Sequence, residues 1–419
     1  MVAAARIARV EAEDEAEEDV SAALDYGSTG KPLGSLRNMA RVLGHDSRLA
    51  GRLRYSLFQG VVFLDGKELQ DLDLSRIAVW MDATYKLRGA TDNLHRAIGL
   101  VADVNRFHPV CDWLNGQVWD GRDRLDGLLP HYFGASDTPL HRRFGACWLI
   151  GACARVFDPG CKLDTLLVLI GDQGAGKSEA CAALVPDRTW FGDTSFDIGN
   201  KDAFINLQGK WIYELAEGEC LRGKSNEGTK AFITSRHDRY REPFARLAKD
   251  HPRQVVFVAT GNVDEVLRDP TGARRYWPVR IGAPKIAALG RDREQLFAEA
   301  LIRYRRGEIW HLDGHYPALL VEAQRAFEVP EAWEAALAPW VEVQNEPFSV
   351  EDAMRHGLNL SADRWTARHR QRAGVALSRL GCTKFRPRGE GGDRPNLYKR
   401  PLGPDQGKSE RCERKDEPV

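Results

Sequence analysis

The sequence predicts an α/β protein with a parallel β-sheet at its centre, a helical unit before the sheet and a small winged-helix-like module after it. Three observations predict this architecture. Between residues 163 and 281, short apolar runs alternate with segments of helical spacing, which is typical of a parallel sheet covered by helices. Residues 36–156 have mostly helical apolar spacing. Residues 348–400 contain two helical segments followed by a short hairpin.

These patterns divide the chain into five segments. Residues 1–35 are acidic and poor in apolar side chains, so burial cannot offset the entropy of ordering and we expect a disordered leader. Residues 401–419 predict a disordered tail for the same reason. The helical N-terminal unit spans 36–156, the sheet core with its C-terminal helices 157–340, and the basic module 348–400.

The composition restricts the classes of function. The 419 residues include 60 Lys+Arg and 60 Asp+Glu, so an argument for nucleic acid must rest on local charge. Eight cysteines form no CxxC pair, and most have apolar neighbours, which predicts reduced thiols in a soluble cytoplasmic protein without a structural zinc site. No apolar run near the centre of the chain is long enough to cross a membrane.

A glycine-rich motif follows the first apolar run, Leu166–Ile170. It has the pattern Gly171-x-x-x-x-Gly176-Lys177-Ser178 between a strand and a helix, which is the context of a phosphate-binding loop, or P-loop. Glycines let the backbone amides approach phosphate oxygens closely. We expect Lys177 to contact the β- and γ-phosphates of ATP and the Ser178 hydroxyl to ligate Mg²⁺. The predicted nucleotide-binding residues are Gly171, Asp172, Gln173, Gly174, Ala175, Gly176, Lys177 and Ser178.

Two carboxylates follow the second apolar run, Trp211–Leu215. Hydrolysis needs one carboxylate for Mg²⁺ and one to orient the attacking water. We assign Glu214 to the metal and Glu217 to the water. Their spacing departs from the adjacent Asp-Glu pair common in such ATPases, so the division of roles stays open. A strand edge with solvated carboxylates is the alternative.

Polar and cationic residues follow the third apolar run, Val255–Ala259. Asn262 follows this run and comes after the loop and the carboxylates in the chain, which is the position expected of a residue that senses the γ-phosphate. Arg274 and Arg275 come next, and a guanidinium that reaches a neighbouring subunit could stabilise transition-state charge as an arginine finger. Either residue fits this role, and ordinary surface ion pairs are the alternative.

Two basic segments favour contact with DNA. In Lys230–Phe244, and then at Arg246, Lys249 and Arg253, cations alternate with aromatic residues, which suits nucleic acid and subunit contacts equally. The C-terminal module is basic in an otherwise neutral chain, which predicts phosphate contacts with little sequence information, or else a solvated face or docking surface. Its basic residues are Arg364, Arg368, His369, Arg370, Arg372, Lys384, Arg386, Arg388, Lys399 and Arg400.

With these residues assembled, the chain resembles the virulence-associated protein E family, the P-loop ATPases of phages and mobile elements that are related to superfamily 3 helicases and primase-helicases. The resemblance runs from about Leu36 to Val279. It rests on Phe107-His108-Pro109, Trp119-Asp120-Gly121, Pro159-Gly160-Cys161-Lys162, Gly171 to Ser178, Trp211 with Glu214 and Glu217, Asp238-Arg239-Tyr240-Arg241, Thr260-Gly261-Asn262 and Asp269 to Pro278.

The resemblance implies an AAA+ or superfamily 3 helicase-like core and an ATP-dependent role in replication on DNA. Single-stranded DNA is the form that we expect it to bind. It also implies a homo-oligomeric ring, such as a hexamer. Because only the acidic leader precedes Leu36, we expect priming to require a separate primase. The predicted function is a DNA-dependent ATPase and replicative helicase. Two alternatives stay open: a nucleotide-gated DNA-binding protein that regulates or packages without unwinding, and a P-loop kinase of a small molecule.

Overall fold

The chain forms two compact units, Met1–Phe327 and Glu328–Val419. The computed structural model describes residues 20–194, 202–215, 226–240, 248–262, 275–325, 327, 332–361, 365–386 and 396–400. The predicted tail and residues 1–19 of the predicted leader lie outside these ranges. Each unit is built around its own apolar core.

The first unit begins with a small α/β body. Its helices are α1 (Leu36–His45), α2 (Asp71–Tyr85) and α3 (Thr91–Val104), and its strands are β1 (Leu53–Ser56), β2 (Val62–Leu64), β3 (Lys67–Glu68) and β4 (Arg106–Phe107). The strands form one sheet in the order β3-β2-β1-β4. The expectation of a helical unit was therefore incomplete, because the structure also has four short strands in this segment.

The prediction of a disordered leader was wrong for residues 20–35. Val20 and Leu24 are buried in the core of the small body. The buried side chain of Asn38 donates to the carbonyl oxygens of Asp25 and Leu33 at 2.8 and 2.9 Å, and accepts from the Asp25 amide at 2.9 Å. The low apolar content of the leader as a whole did not predict this ordered segment, because two apolar side chains and one buried amide are enough to hold it against the core.

The sheet core begins earlier in the chain than the predicted boundary at residue 157. Helices α4 (Pro109–Asn115) and α5 (Pro139–Phe157) pack in the same apolar cluster as the central strands. The Trp148 indole on α5 donates to the carbonyl of Phe257 at 3.0 Å. Because α5 is buried on nearly all sides, it has no single apolar face that would indicate which element it packs against. The hydrophobic periodicity of the sequence therefore could not locate this boundary.

The centre of the first unit is a five-stranded parallel sheet in the order β11-β5-β10-β7-β6. Its strands are β5 (Leu166–Ile170), β6 (Phe191–Gly192), β7 (Ile212–Leu215), β10 (Val256–Gly261) and β11 (Tyr276–Arg280). The three apolar runs of the sequence therefore form parallel strands, and the α/β prediction is confirmed. Their continuous apolar character reflects burial on both faces.

The remaining elements of the first unit surround this sheet. They are α6 (Lys177–Ala183), α7 (Asp202–Asn206), α8 (Asn226–Thr234), the hairpin strands β8 (His237–Tyr240) and β9 (Lys249–Pro252), α9 (Ile286–Arg305) and α10 (Tyr316–Arg325). Helix α9 packs along both α5 and α6. Helix α10 contacts β11, where the Gln324 amide donates to the carbonyl of Tyr276 at 2.7 Å.

The second unit is a small helical and antiparallel module. Its elements are α11 (Ala332–Glu342), β12 (Phe348–Ser349), α12 (Val350–Asp352) continued by a π-turn (Ala353–Gly357), α13 (Ala367–Arg379), β13 (Thr383–Phe385) and β14 (Leu397–Lys399). The sheet order is β12-β14-β13. Leu337 and Val341 of α11 lie in the core of this unit, so the boundaries predicted at 340 and 348 were wrong and α11 belongs to the module.

The cysteines are packed as the sequence predicts. Among the described residues, Cys147, Cys153, Cys161, Cys181 and Cys382 are buried free thiols. Burial raises the pKa of each of these thiols, so they behave as small apolar side chains. No helix in the described ranges is long and apolar enough to cross a membrane.

Candidate functional site

The glycine-rich loop joins β5 to α6 at the carboxyl edge of the parallel sheet. The Gly171 amide donates to the carbonyl of Gly261 at the end of β10, at 3.2 Å. Gly174 and Gly176 have φ angles of +76° and +83°. Side chains other than glycine rarely adopt this left-handed backbone conformation, so both positions need glycine for the loop to turn over the end of β5.

Lys177 lies inside the loop. Its ammonium group donates to the carbonyl oxygens of Gly171 and Asp172, each at 2.8 Å, and the residue is 9% exposed. Burial lowers the pKa of Lys177, and the nearby carboxylates of Asp172 and Glu214 oppose that shift. The cation is thus fixed at the loop by backbone carbonyls.

Glu214 sits on β7, which β10 separates from β5. Its Oε1 atom accepts a hydrogen bond of 2.7 Å from the Ser178 hydroxyl and another from the Thr260 hydroxyl. The residue is 2% exposed. The carboxylate is therefore a buried acceptor beside the loop, which contradicts the alternative of a solvated strand edge at this position.

Asn262 follows β10 and borders the same cleft as the loop. This cleft has a volume of about 360 Å³ and is lined by Gln173–Glu179, Thr260, Gly261 and Asn262. Parallel strands end at one edge of a sheet, so residues far apart in sequence meet there. The structure brings together Lys177, Ser178, Glu214 and Asn262 as the sequence predicts.

Arg275 lies at the opposite edge of the sheet. β11 runs parallel to β5 with Tyr276 paired to Leu166 and Arg280 paired to Ile170, so Arg275 precedes the amino end of the strand. Five residues of strand at about 3.3 Å each separate it from the loop by roughly 16 Å. Arg275 instead lines an apolar cleft with Trp277 and Trp310. Arg274 and Glu217 lie outside the described residues.

The basic segment between β7 and β10 has partly structural roles. Arg253 is fully buried and pairs with Asp238 at 2.7 Å, which fastens the β8–β9 hairpin. Lys230 is also buried. Arg239 is exposed and pairs with Asp250 at 3.0 Å. Buried cations are unavailable to DNA, so of the two alternatives nucleic-acid contact does not hold for Lys230 and Arg253. Residues 241–247 lie outside the described ranges.

Some cations of the second unit make interactions within the unit. Arg370 pairs with Glu351 at 3.0 Å, and the Arg400 guanidinium donates to the Glu342 carbonyl at 2.8 Å. The basic residues in the described ranges are exposed or half-buried: Arg368, His369, Arg370, Arg372, Lys384, Arg386, Lys399 and Arg400. Arg364 and Arg388 lie outside these ranges. The local excess of basic residues in the sequence therefore overstates the positive charge available to a partner.

Sequence reasoning missed one polar group of the site. Thr260 was noted only as part of the segment before Asn262, yet its hydroxyl shares the Glu214 carboxylate with Ser178. The signal was weak, because a threonine near the end of a strand is common. Its role follows from the strand order, which places β10 between β5 and β7.

Comparison with solved structures finds distant similarity. One, titled the A form apo structure of the NrS-1 C terminal region (305-718), is 11% identical with a TM-score of 0.46, over 83% of this chain and 96% of that chain. Another structure of the NrS-1 C terminal region is 14% identical with a TM-score of 0.41, over 69% of this chain and 78% of that chain. No curated protein matches the chain.

Comparison with protein families gives a direct assignment. The virulence-associated protein E-like domain matches residues 114–329, just over half of the 419 residues. The match begins within α4 and ends after α10, so it spans the central sheet and every described residue of the carboxyl-edge cleft. The resemblance deduced from the sequence motifs is confirmed, and the chain belongs to the virulence-associated protein E-like family.

Proposed function

We propose that this chain is an ATP-hydrolysing P-loop protein of the AAA+ or superfamily 3 helicase type that acts on DNA in the replication of a phage or mobile element. One observation carries the proposal: Lys177, Ser178, Glu214 and Asn262 converge on a glycine-rich loop at one edge of a parallel sheet. These are the groups that hydrolysis of a nucleoside triphosphate requires.

The strand order supports a hydrolytic rather than a merely binding role. The sheet order is β11-β5-β10-β7-β6. Strand β10, which precedes Asn262, therefore lies between β5, which precedes the loop, and β7, which carries Glu214. A γ-phosphate held by the loop would then face both side chains. Asn262 could hold the attacking water, while Lys177 would stabilise charge on the phosphate oxygens.

The side-chain oxygen atoms beside the loop are suitable ligands for Mg²⁺. Ser178 and Glu214 supply hydroxyl and carboxylate oxygens, which are the ligands that Mg²⁺ prefers. Within the described ranges no group of three or more His, Cys, Asp or Glu side chains could hold a metal ion alone. A cation that also takes oxygens from ATP needs few protein ligands. When bound, Mg²⁺ would neutralise charge on the β- and γ-phosphates, and Glu217 would polarise the water.

The position of Arg275 supports action between subunits. At roughly 16 Å from its own loop, given about 3.3 Å per strand residue, it cannot contact a phosphate bound there. In a ring such as a hexamer, the amino edge of one sheet can approach the carboxyl edge of the next. Arg275 or Arg274 would then act as the finger on a neighbouring nucleotide.

Contact with DNA is proposed for the second unit. Its elements follow the order helix, strand, helix, helix, strand, strand, with sheet order β12-β14-β13, and this order supports the proposal of a winged-helix module. Exposed cations on α13 and on the hairpin favour phosphate contacts. Replication would take place in the cytoplasm.

Steady-state ATP hydrolysis with and without single-stranded DNA, followed by strand displacement, tests the proposal. We expect hydrolysis that DNA stimulates and that drives displacement. Stimulation without displacement would instead indicate a nucleotide-gated DNA-binding protein. Phosphate transfer to a metabolite without DNA stimulation would indicate a kinase and contradict the proposal.

A further inference from the structure

Helix α13 in the second unit has two contrasting faces. Ala373, Ala376 and Leu377 are buried in the core of the unit. On the other side, Arg368, Gln371, Arg372 and Val375 are exposed. Their spacing of three, four and seven residues places them in one stripe along the helix, which we call the α13 stripe. The fold of this unit therefore leaves the α13 stripe accessible, together with Arg370 beside it.

The sequence around the α13 stripe lacks carboxylates. Residues 365–388 contain seven Lys or Arg and no Asp or Glu. Glu351 and Glu334 reach this helix from other elements, but they pair with Arg370, which lies off the stripe, and with Arg379 in the last turn. Residues 365–388 are therefore basic as a segment, which is the charge that a polyanion attracts.

The side chains of the α13 stripe are suited to base edges as well as to phosphates. Arginine can donate two hydrogen bonds to guanine O6 and N7, and glutamine can bond adenine N6 and N7. An apolar side chain such as Val375, which is 40% exposed, can contact a thymine methyl group. The α13 stripe thus combines two guanidinium groups with an amide and an apolar side chain, which are the groups that can contact base edges.

The geometry of α13 matches one groove of duplex DNA. Its 13 residues extend for roughly 20 Å at about 1.5 Å per residue. The major groove is about 12 Å wide and admits one α-helix. The guanidinium of Arg372 also lies 4.4 Å from the ring of Trp333, which orients this exposed side chain beside the helix.

We propose that α13 enters the major groove of duplex DNA and that Arg368, Gln371 and Arg372 read base edges there. Lys384 and Lys399, exposed on β13 and β14, contact the flanking phosphates. The second unit thus directs the protein to particular duplex sequences. The inference rests on the proposed role on DNA but does not depend on ATP hydrolysis.

The test is selection of bound sequences from a random duplex library by the full-length protein without nucleotide. We expect an enriched motif with guanine and adenine positions. Arg368→Ala and Gln371→Ala should each weaken binding to the selected duplex by about 5- to 150-fold and relax the preference at one position. Lys384→Ala is the matched control, because loss of a phosphate contact should weaken selected and random duplexes equally.

Several results would overturn the inference. These are the absence of an enriched motif, unchanged affinity and motif in both Arg368→Ala and Gln371→Ala, and tighter binding to single strands than to duplex of the same sequence. Equal competition by poly-glutamate would identify the α13 stripe as a docking surface for an acidic protein. ATP hydrolysis is measured on the same preparations. Selective duplex binding without hydrolysis would reject the proposed catalysis and leave this inference intact.

Discussion

The two edges of the central sheet differ in how their polar groups are held. At the carboxyl edge, Lys177, Ser178, Thr260 and Glu214 are linked through hydrogen bonds among themselves and the loop backbone. At the amino edge, Arg275 lies beside an apolar cleft, and its Nε atom is buried without a hydrogen-bond partner in the described structure. The polar side chains of the carboxyl edge are thus linked to one another, whereas the Nε atom of Arg275 has no partner among the described residues.

Replacement of Lys177 tests the carboxyl edge most severely. Lys177→Ala removes the cation beside the loop, so we expect hydrolysis to fall by about 10⁴-fold, taking about 10² for each of two phosphate contacts. The loop glycines and β5 remain, so the protein should stay folded. Lys162→Ala, in the amino-edge cleft, is the control and should leave turnover unchanged. Normal turnover in Lys177→Ala would reject the nucleotide site.

Replacement of Arg275 tests whether the amino edge serves a neighbour. If Arg275 is the finger, Arg275→Ala should bind nucleotide but hydrolyse it about 10³-fold more slowly. Mixing it with Lys177→Ala should restore part of the activity, because some interfaces then combine an intact loop with an intact arginine.

Mixing Lys177→Ala with Glu214→Gln is the control for this experiment. Both lesions lie at the carboxyl edge, but Glu214→Gln keeps Arg275, so any recovery here would show that the arginine is not the complementing group. Absence of recovery with Arg275→Ala, despite proven subunit exchange, would assign the finger to Arg274 or to no residue of this pair.

Replacement of Glu214 separates charge from packing. Glu214→Gln keeps the volume and an acceptor for Ser178 and Thr260 but removes the negative charge, so we expect hydrolysis to fall by about 10²-fold. Glu299→Gln is a matched control, since Glu299 is also 2% exposed but binds the backbone near Leu125. That variant should lower the melting temperature rather than the turnover. Equal turnover in the two variants would contradict a metal-binding role for Glu214.

Replacement of Thr260 should have a smaller effect. Thr260→Val removes one hydrogen bond to a buried carboxylate, worth about 1.5 kcal/mol, so turnover should fall by about tenfold. Thr165→Val, a buried threonine at the amino edge, should leave turnover unchanged. A larger effect at Thr165 than at Thr260 would reverse the functional assignment of the two edges.

Removal of the second unit should affect basal hydrolysis least. A chain ending before Glu328 retains every described residue of the loop cleft, so DNA-independent turnover should stay within about twofold. DNA binding should weaken, and its dependence on salt should flatten, because fewer phosphate contacts release fewer counterions. The cut cannot be made before Phe348, because that would leave Leu337 and Val341 of α11 without their core. Unchanged DNA affinity and salt dependence would remove this unit from DNA binding.

Much of the central sheet could be predicted from the sequence, because its signals are local. A buried parallel strand is a short apolar run, and β5, β7 and β10 lie within two residues of the runs that predicted them. The loop motif has a fixed spacing of its glycines, lysine and serine, which is also visible in the sequence alone. The N-terminal boundary was missed, because α5 is buried on nearly all sides and carries no periodicity that identifies its neighbours.

The sequence by itself determined which residues could bind a nucleotide and that they follow buried strands, because the glycines, the lysine and the strand-end carboxylate are local requirements of the backbone and of phosphate charge. Only the tertiary structure decided which of them meet. The strand order brings Thr260 and Glu214 beside Ser178, and the strand pairing puts Arg275 at the opposite edge of the sheet. Arg253, a candidate DNA contact in the sequence, is buried and pairs with Asp238. Strand order and burial depend on packing between distant segments, which no local pattern encodes.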